Sequence, residues 1–94
     1  MDSISFLKAR IGAETKEFKG RVAWALNQLL TAGDSGCTPI DNPAPRWSDA
    51  IFKLRRDGVE IETVTEKHGG PYAGHHARYV LRSPVEILEV REAA

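Results

Sequence analysis

The stretch that decides the fold is RWSDAIFKLRRDGVEI, which spans residues 46–61. Trp47, Ile51 and Leu54 recur at the i, i+4 and i+7 spacing and therefore line one side of a helix. Gly58 follows at the position where a helix favours a left-handed terminal residue. Beyond this glycine, apolar and acidic residues alternate, which is typical of a strand. The segment predicts an amphipathic helix that leads directly into a β-strand.

The composition is that of one small globular domain. The chain has 94 residues, 41% of them hydrophobic and 28% charged, so we expect a single domain over 1–94, with a core of about 14–82 and extensions at 1–13 and 83–94. It has neither a long apolar run nor a secretory signal pattern, so we expect no membrane segment. A single cysteine, Cys37, excludes an internal disulfide and fits the cytoplasm.

Positive charge is concentrated in the middle of the chain. The 13 basic and 13 acidic residues give a formal net charge of zero, which argues against a strongly basic nucleic-acid binder. Residues 46–82 nevertheless hold seven basic and five acidic residues and all three histidines. The balance is five to five in residues 1–45 and one to three in residues 83–94. The modest positive excess therefore lies in residues 46–82, which begin with the predicted helix of residues 46–57.

The residues before that helix divide into three segments. Residues 3–12 are ambiguous, but the spacing of their apolar residues fits a helix better than a strand. Residues 14–30 form the clearest long helix, with one apolar face. Trp24 points off this face and is expected to pack not on the central core but on the N-terminal segment, the C-terminal tail or a second subunit. Residues 31–45 hold three prolines and two glycines and predict a loop with at most one short helix.

A long hairpin is predicted after the glycine. Residues 59–65 form its first strand, residues 66–77 a turn rich in glycine and histidine, and residues 78–82 the returning strand. Residues 84–92 fit either a capped helix or a strand.

This order of elements resembles the winged helix-turn-helix architecture. More narrowly, AIFKLRRDGVEI followed by RYVL resembles small bacterial and phage-type winged-helix proteins, whose recognition helix carries the pattern I-x-x-L-R-x-x-G-x-x-I before the wing. The matching residues are Ile51, Leu54, Arg55, Gly58, Ile61, Arg78, Tyr79 and Leu81. The resemblance covers roughly residues 16–82 and implies an α+β fold, a three-helix core with a β-hairpin wing. The proline-rich stretch in place of the second helix and the acidic tail depart from the pattern.

The resemblance implies a small DNA-binding protein without enzymatic activity, such as a transcriptional regulator or a phage-derived factor. The helix of residues 46–57 would enter the major groove of double-stranded DNA, and the wing of residues 66–77 would contact the backbone or the minor groove. The candidate DNA-binding residues are Arg46, Ser48, Phe52, Lys53, Arg55, Arg56, Lys67, His68, His75 and Arg78.

A different class of function fits the same fold. Zero net charge, acidic residues beside the basic ones, and the outward aromatic residue Phe52 would also suit a winged-helix module that binds protein and not DNA. Trp24 and the terminal segments would then contact a protein partner or a second copy. We expect no cofactor and no metal, because neighbouring histidines of a strand point to opposite sides and no carboxylate or thiol stands at a ligand-like spacing.

Overall fold

A computed structural model describes residues 4–44, 46–69 and 74–92. Its two helices are α1 (Gly20–Ala32) and α2 (Trp47–Arg56), and its five strands are β1 (Ile4–Ile11), β2 (Glu14–Lys19), β3 (Ile61–His68), β4 (Gly74–Leu81) and β5 (Val85–Glu92). One antiparallel sheet has the strand order β2-β1-β5, and β3 pairs with β4 in a separate antiparallel hairpin. Both helices, the three-stranded sheet and the hairpin contribute residues to a single hydrophobic core.

The N-terminal segment is a strand, so the helix favoured for residues 3–12 is wrong. Leu7, Ala9 and Ile11 are buried on the face of β1 that meets the core. Phe6 is buried on the opposite face, beneath the guanidinium of Arg91, which lies 4.1 Å from the ring centroid. Because β1 has buried residues on both faces, its sequence does not show the alternation of apolar and polar residues that is typical of a strand. The core also includes β1, which the predicted boundary at about residue 14 left out.

The helix predicted over 14–30 begins at Gly20, six residues later than expected. Residues 14–19 form β2, in which Phe18 lies opposite Leu7 of β1. Gly20 then has a φ of 60°, a left-handed conformation that lets the chain turn from the strand into α1. Phe18 fits both periodicities, which is why the apolar spacing alone placed the helix start too early.

The expected second helix is absent from the described residues, so the core has two helices and not three. After α1 come a short 3-10 helix, Gly33–Ser35, and one turn in which the Asp41 N–H donates to the Thr38 hydroxyl oxygen (2.9 Å). Cys37 exchanges two backbone hydrogen bonds with Tyr79 of β4, at 2.9 and 2.8 Å. These bonds fix the loop to the wing without a helix.

Cys37 is fully buried where the loop meets β4. Burial raises the pKa of its thiol to about 11, so the thiol stays protonated at neutral pH. The cysteine therefore acts as a small apolar residue of the core.

Helix α2 confirms the central prediction. Trp47, Ile51 and Leu54 are 4%, 1% and 0% exposed. Trp24 is partly buried and lies against Trp47, with 5.4 Å between the ring centroids. The expectation that Trp24 avoids the central core is therefore wrong, although it also lines a shallow groove with Ile4 of the N-terminal segment.

Both strands of the wing extend into the segment that was predicted to be a turn. Strand β3 starts at residue 61 and continues to 68, and β4 already begins at 74, so most of the predicted turn of residues 66–77 is paired strand. Residues 70–73 of the predicted turn lie outside the described residues. The ambiguous segment 84–92 forms β5, which pairs with β1. No helix in the described part of the chain is long and apolar enough to cross a membrane.

Candidate nucleic-acid interface

A basic groove lies between the first turns of the two helices. It has a volume of about 350 Å³. The basic groove is lined by Lys19, Arg21, Val22, Arg46, Asp49, Ala50 and Lys53. Four of these side chains are cationic and one is anionic, so the groove is a positive region on a chain whose net charge is zero.

The N-cap residues of both helices, Lys19 and Arg46, line the basic groove. Neither Lys19, at the N-cap of α1, nor Arg46, at the N-cap of α2, makes a side-chain capping hydrogen bond. The first turn of α1 has no acidic residue. The positive ends of the two helix dipoles therefore add to the four cationic side chains, and Asp49 lies in the first turn of α2.

Asp49 holds two of the cations in the basic groove. Its carboxylate lies 3.2 Å from Nζ of Lys53 and 4.0 Å from a guanidinium nitrogen of Arg46. The three side chains are 38–70% exposed, so these pairs contribute little stability. An anion that entered the groove would compete with Asp49 for the same two cations.

Arg55 joins α2 to the wing. Its Nη2 donates to the Ile61 carbonyl oxygen at 2.6 Å and to the Thr63 hydroxyl oxygen at 2.8 Å. Thr63 therefore faces α2, and residues alternate along a strand. Lys67 lies on this same face of β3, opposite His75 of β4. The side chains of Lys67 and His75 are both exposed. Lys67 and His75 thus extend the surface that α2 presents.

Arg78 is part of a half-buried network on the other face of the wing. Its Nε donates to the Glu66 carboxylate at 2.6 Å and its Nη1 to the Ser35 carbonyl oxygen at 2.8 Å, and its guanidinium lies 3.7 Å from the Asp41 carboxylate. His76 also contacts Glu66, at 3.1 Å. Arg78 therefore ties β4 to β3 and to the loop after α1, which is a structural arrangement.

This network predicts a pH-dependent contribution to stability. The hydrogen bond from Arg78 lowers the pKa of Glu66 below its ordinary value of 4.5, aided by His76 and opposed by desolvation. A carboxyl whose pKa is lower in the folded state stabilises the fold above the unfolded pKa, and this contribution is lost as the pH falls through the folded pKa. At pH 7 we expect the wild type to unfold at a higher urea concentration than Glu66→Gln. The difference between their urea midpoints should shrink as the pH falls below 4.5.

Glu60→Gln is the matched control, because Glu60 is an exposed glutamate whose carboxylate has no ion-pair partner in the described ranges. Its midpoint should follow that of the wild type at every pH. A Glu66→Gln difference that is independent of pH would contradict the assignment.

The remaining candidates are spread over two regions. Ser48 and Phe52 are exposed on the outer side of α2, and Phe52 is 64% exposed. Arg56 is exposed on the same helix but lines a different cleft, beside Asp57 and Glu60. The backbone of His68 belongs to β3, and its side chain lies outside the described part of the chain.

The sequence did not indicate Lys19 and Arg21 as candidates. In the helix predicted to start at residue 14, Lys19 lies away from the apolar face and Arg21 lies near the edge of that face. The structure places them at the strand-to-helix turn around Gly20, where they line the basic groove. The one sequence feature that could have indicated them is a glycine flanked by two basic residues just before an apolar helix.

Metal-binding side chains do not come together in the described part of the chain. Within it, no three histidine, cysteine, aspartate or glutamate residues are placed to hold an ion. His75 and His76 are adjacent on β4, and His76 is bound to Glu66.

A family model for a winged helix domain matches residues 15–91, which is most of the chain and includes both helices, the wing and nearly all of β5. No curated protein and no solved structure matches it significantly.

Proposed function

Because the chain belongs to the winged helix domain family, we propose that it binds double-stranded DNA, in a regulatory and non-enzymatic role. Helix α2 would enter the major groove, which is wide enough for an α-helix. Its exposed outer side would present Ser48, Phe52 and Lys53 to base edges and to the backbone. Phe52 could contact a thymine methyl group, and Lys53 a phosphate or a guanine edge.

The basic groove is the observation that carries this proposal. Phosphate groups bind where cationic side chains and helix N-termini converge, and here both occur beside the helix expected to enter DNA. On binding, the DNA backbone would take the place of Asp49 as the anion near Arg46 and Lys53. Lys67 and His75 on the wing would reach the backbone further along.

Salt dependence of DNA binding tests the proposal. Each phosphate contact adds about 0.9 to the slope of log affinity against log salt. Four contacts in the basic groove predict a loss of roughly 100-fold in affinity for a mixed-sequence duplex between about 50 and 200 mM salt. In the double variant Lys19→Ala, Arg21→Ala, two contacts fewer predict a loss of only about ten-fold over the same range. Fluorescence anisotropy with a labelled duplex measures both.

The matched control is the double variant Lys8→Ala, Arg10→Ala, which removes the same charge from β1, away from the basic groove. Its salt slope should equal that of the wild type. An unchanged slope in the Lys19, Arg21 variant would remove the phosphate role of the basic groove, and no duplex binding at low salt would overturn DNA binding itself.

Phe52 supports a second candidate function. An aromatic side chain that is 64% exposed in the middle of α2 is typical of a protein interface, so the helix could instead bind a protein. The two candidates differ in salt dependence. Binding centred on Phe52 would be abolished by Phe52→Ala and would respond weakly to salt, whereas DNA binding through the basic groove would respond steeply.

A further inference from the structure

Strand β5 is an exposed apolar edge. It is an outer strand of the sheet, and β1 is the one described element with which it makes extensive contact. Ile87, Leu88 and Val90 are 41%, 42% and 39% exposed. Strand β2, at the opposite edge, carries mainly charged residues, which protect an edge from pairing with another chain. β5 also carries charged residues, but its apolar side chains remain exposed.

A β-bulge changes which residues of β5 share a face. Lys8 pairs with Glu89 and the next residue, Ala9, pairs with Ile87, so Leu88 is an extra residue in β5. In a regular strand Ile87 and Val90 would point to opposite faces, because the separation between them is odd. With the bulge, both lie on the same face of the sheet.

The pairing with β1 identifies these faces. Ile87 and Val90 lie opposite Ala9 and Leu7, which belong to the buried face of β1. Glu86 and Arg91 lie opposite Arg10 and Phe6, on the outer face. Each face of β5 therefore carries two complementary residues placed symmetrically about the bulge: Ile87 and Val90 on the buried face, and Glu86 and Arg91 on the outer face.

These pairs define one antiparallel register between two copies of β5. Residues directly opposite each other in antiparallel strands share a face. With Leu88 opposite Glu89 of a second copy, Ile87 lies opposite Val90 and Glu86 lies opposite Arg91, and each contact occurs twice by symmetry. Sliding the strands by one residue places Ile87 opposite either Arg91 or Glu89, so both the apolar contacts and the contacts between opposite charges are lost.

From this complementarity we infer that β5 is the interface of a symmetric homodimer, in which the two three-stranded sheets join edge to edge. The two Ile87–Val90 contacts cover apolar surface, and the two Glu86–Arg91 contacts pair opposite charges. The inference is independent of DNA binding.

Charge reversal in trans tests both the dimer and its register. In Glu86→Lys alone, the dimer would place lysine opposite Arg91, and in Arg91→Glu alone it would place glutamate opposite Glu86. Each variant should therefore dimerise about ten-fold more weakly than the wild type, or worse. In an equimolar mixture of the two variants, every contact between unlike chains again joins opposite charges, so dimerisation should return to the wild-type level. Sedimentation velocity over a concentration series measures this.

The mixture also separates the interface from contacts within one chain. Glu86 pairs with Arg10, and Arg91 pairs with Glu89. Losing one of those pairs would weaken dimerisation of a variant to the same extent whether that variant is alone or mixed with the other. Glu17→Lys, on the opposite edge strand, is the control for a change of charge and should dimerise like the wild type. A wild type that stays monomeric throughout, or a mixture that dimerises no better than its components, would overturn the inference.

Discussion

Replacing Gly36 by alanine should lower the free energy of unfolding by about 4 kcal/mol. Gly36 has a φ of 70° and a ψ of −178°, a conformation that only glycine adopts readily. An added Cβ would lie 2.7 Å from the Tyr79 carbonyl oxygen, and this backbone oxygen accepts the hydrogen bond from the Cys37 N–H. Relief of the clash would separate the loop from the wing and break both hydrogen bonds of that bridge. Urea denaturation followed by tryptophan fluorescence gives the free energy.

Gly12 provides the matched control. Its φ of 62° is also positive, but an added Cβ would meet no atom within 4 Å. Gly12→Ala should therefore cost only the conformational strain, about 1 kcal/mol. Equal losses in the two variants would mean that the contact between the loop and the wing contributes nothing beyond backbone strain. Complete loss of a cooperative transition in Gly36→Ala alone would be the extreme form of the expected result.

Replacing Trp47 by alanine should cost about 4 kcal/mol, the range seen when a buried aromatic side chain is truncated. Trp47 is 4% exposed, stacks on Tyr79 of the wing with 6.1 Å between centroids, and contacts Trp24 of α1. Its Nε1 also donates to the Asn42 carbonyl oxygen at 2.7 Å. One side chain thus joins both helices, the loop and the wing. Thermal or urea denaturation by circular dichroism measures the loss.

Two further variants separate the components of this effect. Trp47→Phe keeps an aromatic ring but leaves the Asn42 carbonyl oxygen without its donor, so we expect a smaller loss of about 1–2 kcal/mol. Phe52→Ala removes an aromatic side chain from the exposed side of the same helix and should change stability by less than about 0.5 kcal/mol. A large loss in Phe52→Ala would contradict the assignment of the two faces of α2.

The sequence predicted α2 and the wing because these segments follow one simple pattern each. Trp47, Ile51 and Leu54 form a single buried face, and α2 ends at Arg56, just before Gly58, whose φ of 93° is the left-handed conformation expected there. Segment 3–12 was assigned wrongly because Phe6 is buried beneath Arg91, a contact with a residue at the far end of the chain. A sequence pattern records which residues are apolar, but not which distant element covers them.

The candidate site was predictable only in part, for a similar reason. Arg46 and Lys53 were identified because they lie on α2 itself. Lys19 and Arg21 join them only through the packing of α1 on α2, which no local pattern records. Conversely, Arg55 and Arg78 belong to a basic stretch but form hydrogen bonds within the protein, and their partners are set by the tertiary fold.

The central place of β1 in its sheet governs the order in which the chain can fold. Its pairing with β2 is local, but Leu7 pairs with Val90, some eighty residues further along. Closing so long a loop costs entropy before any contact compensates for it, and such non-local pairings slow folding. During synthesis, the two hairpins and both helices can form before β5 leaves the ribosome. Until β5 arrives, one edge of β1 remains unpaired and open to strands of other nascent chains, so the sheet is most prone to aggregate at this stage.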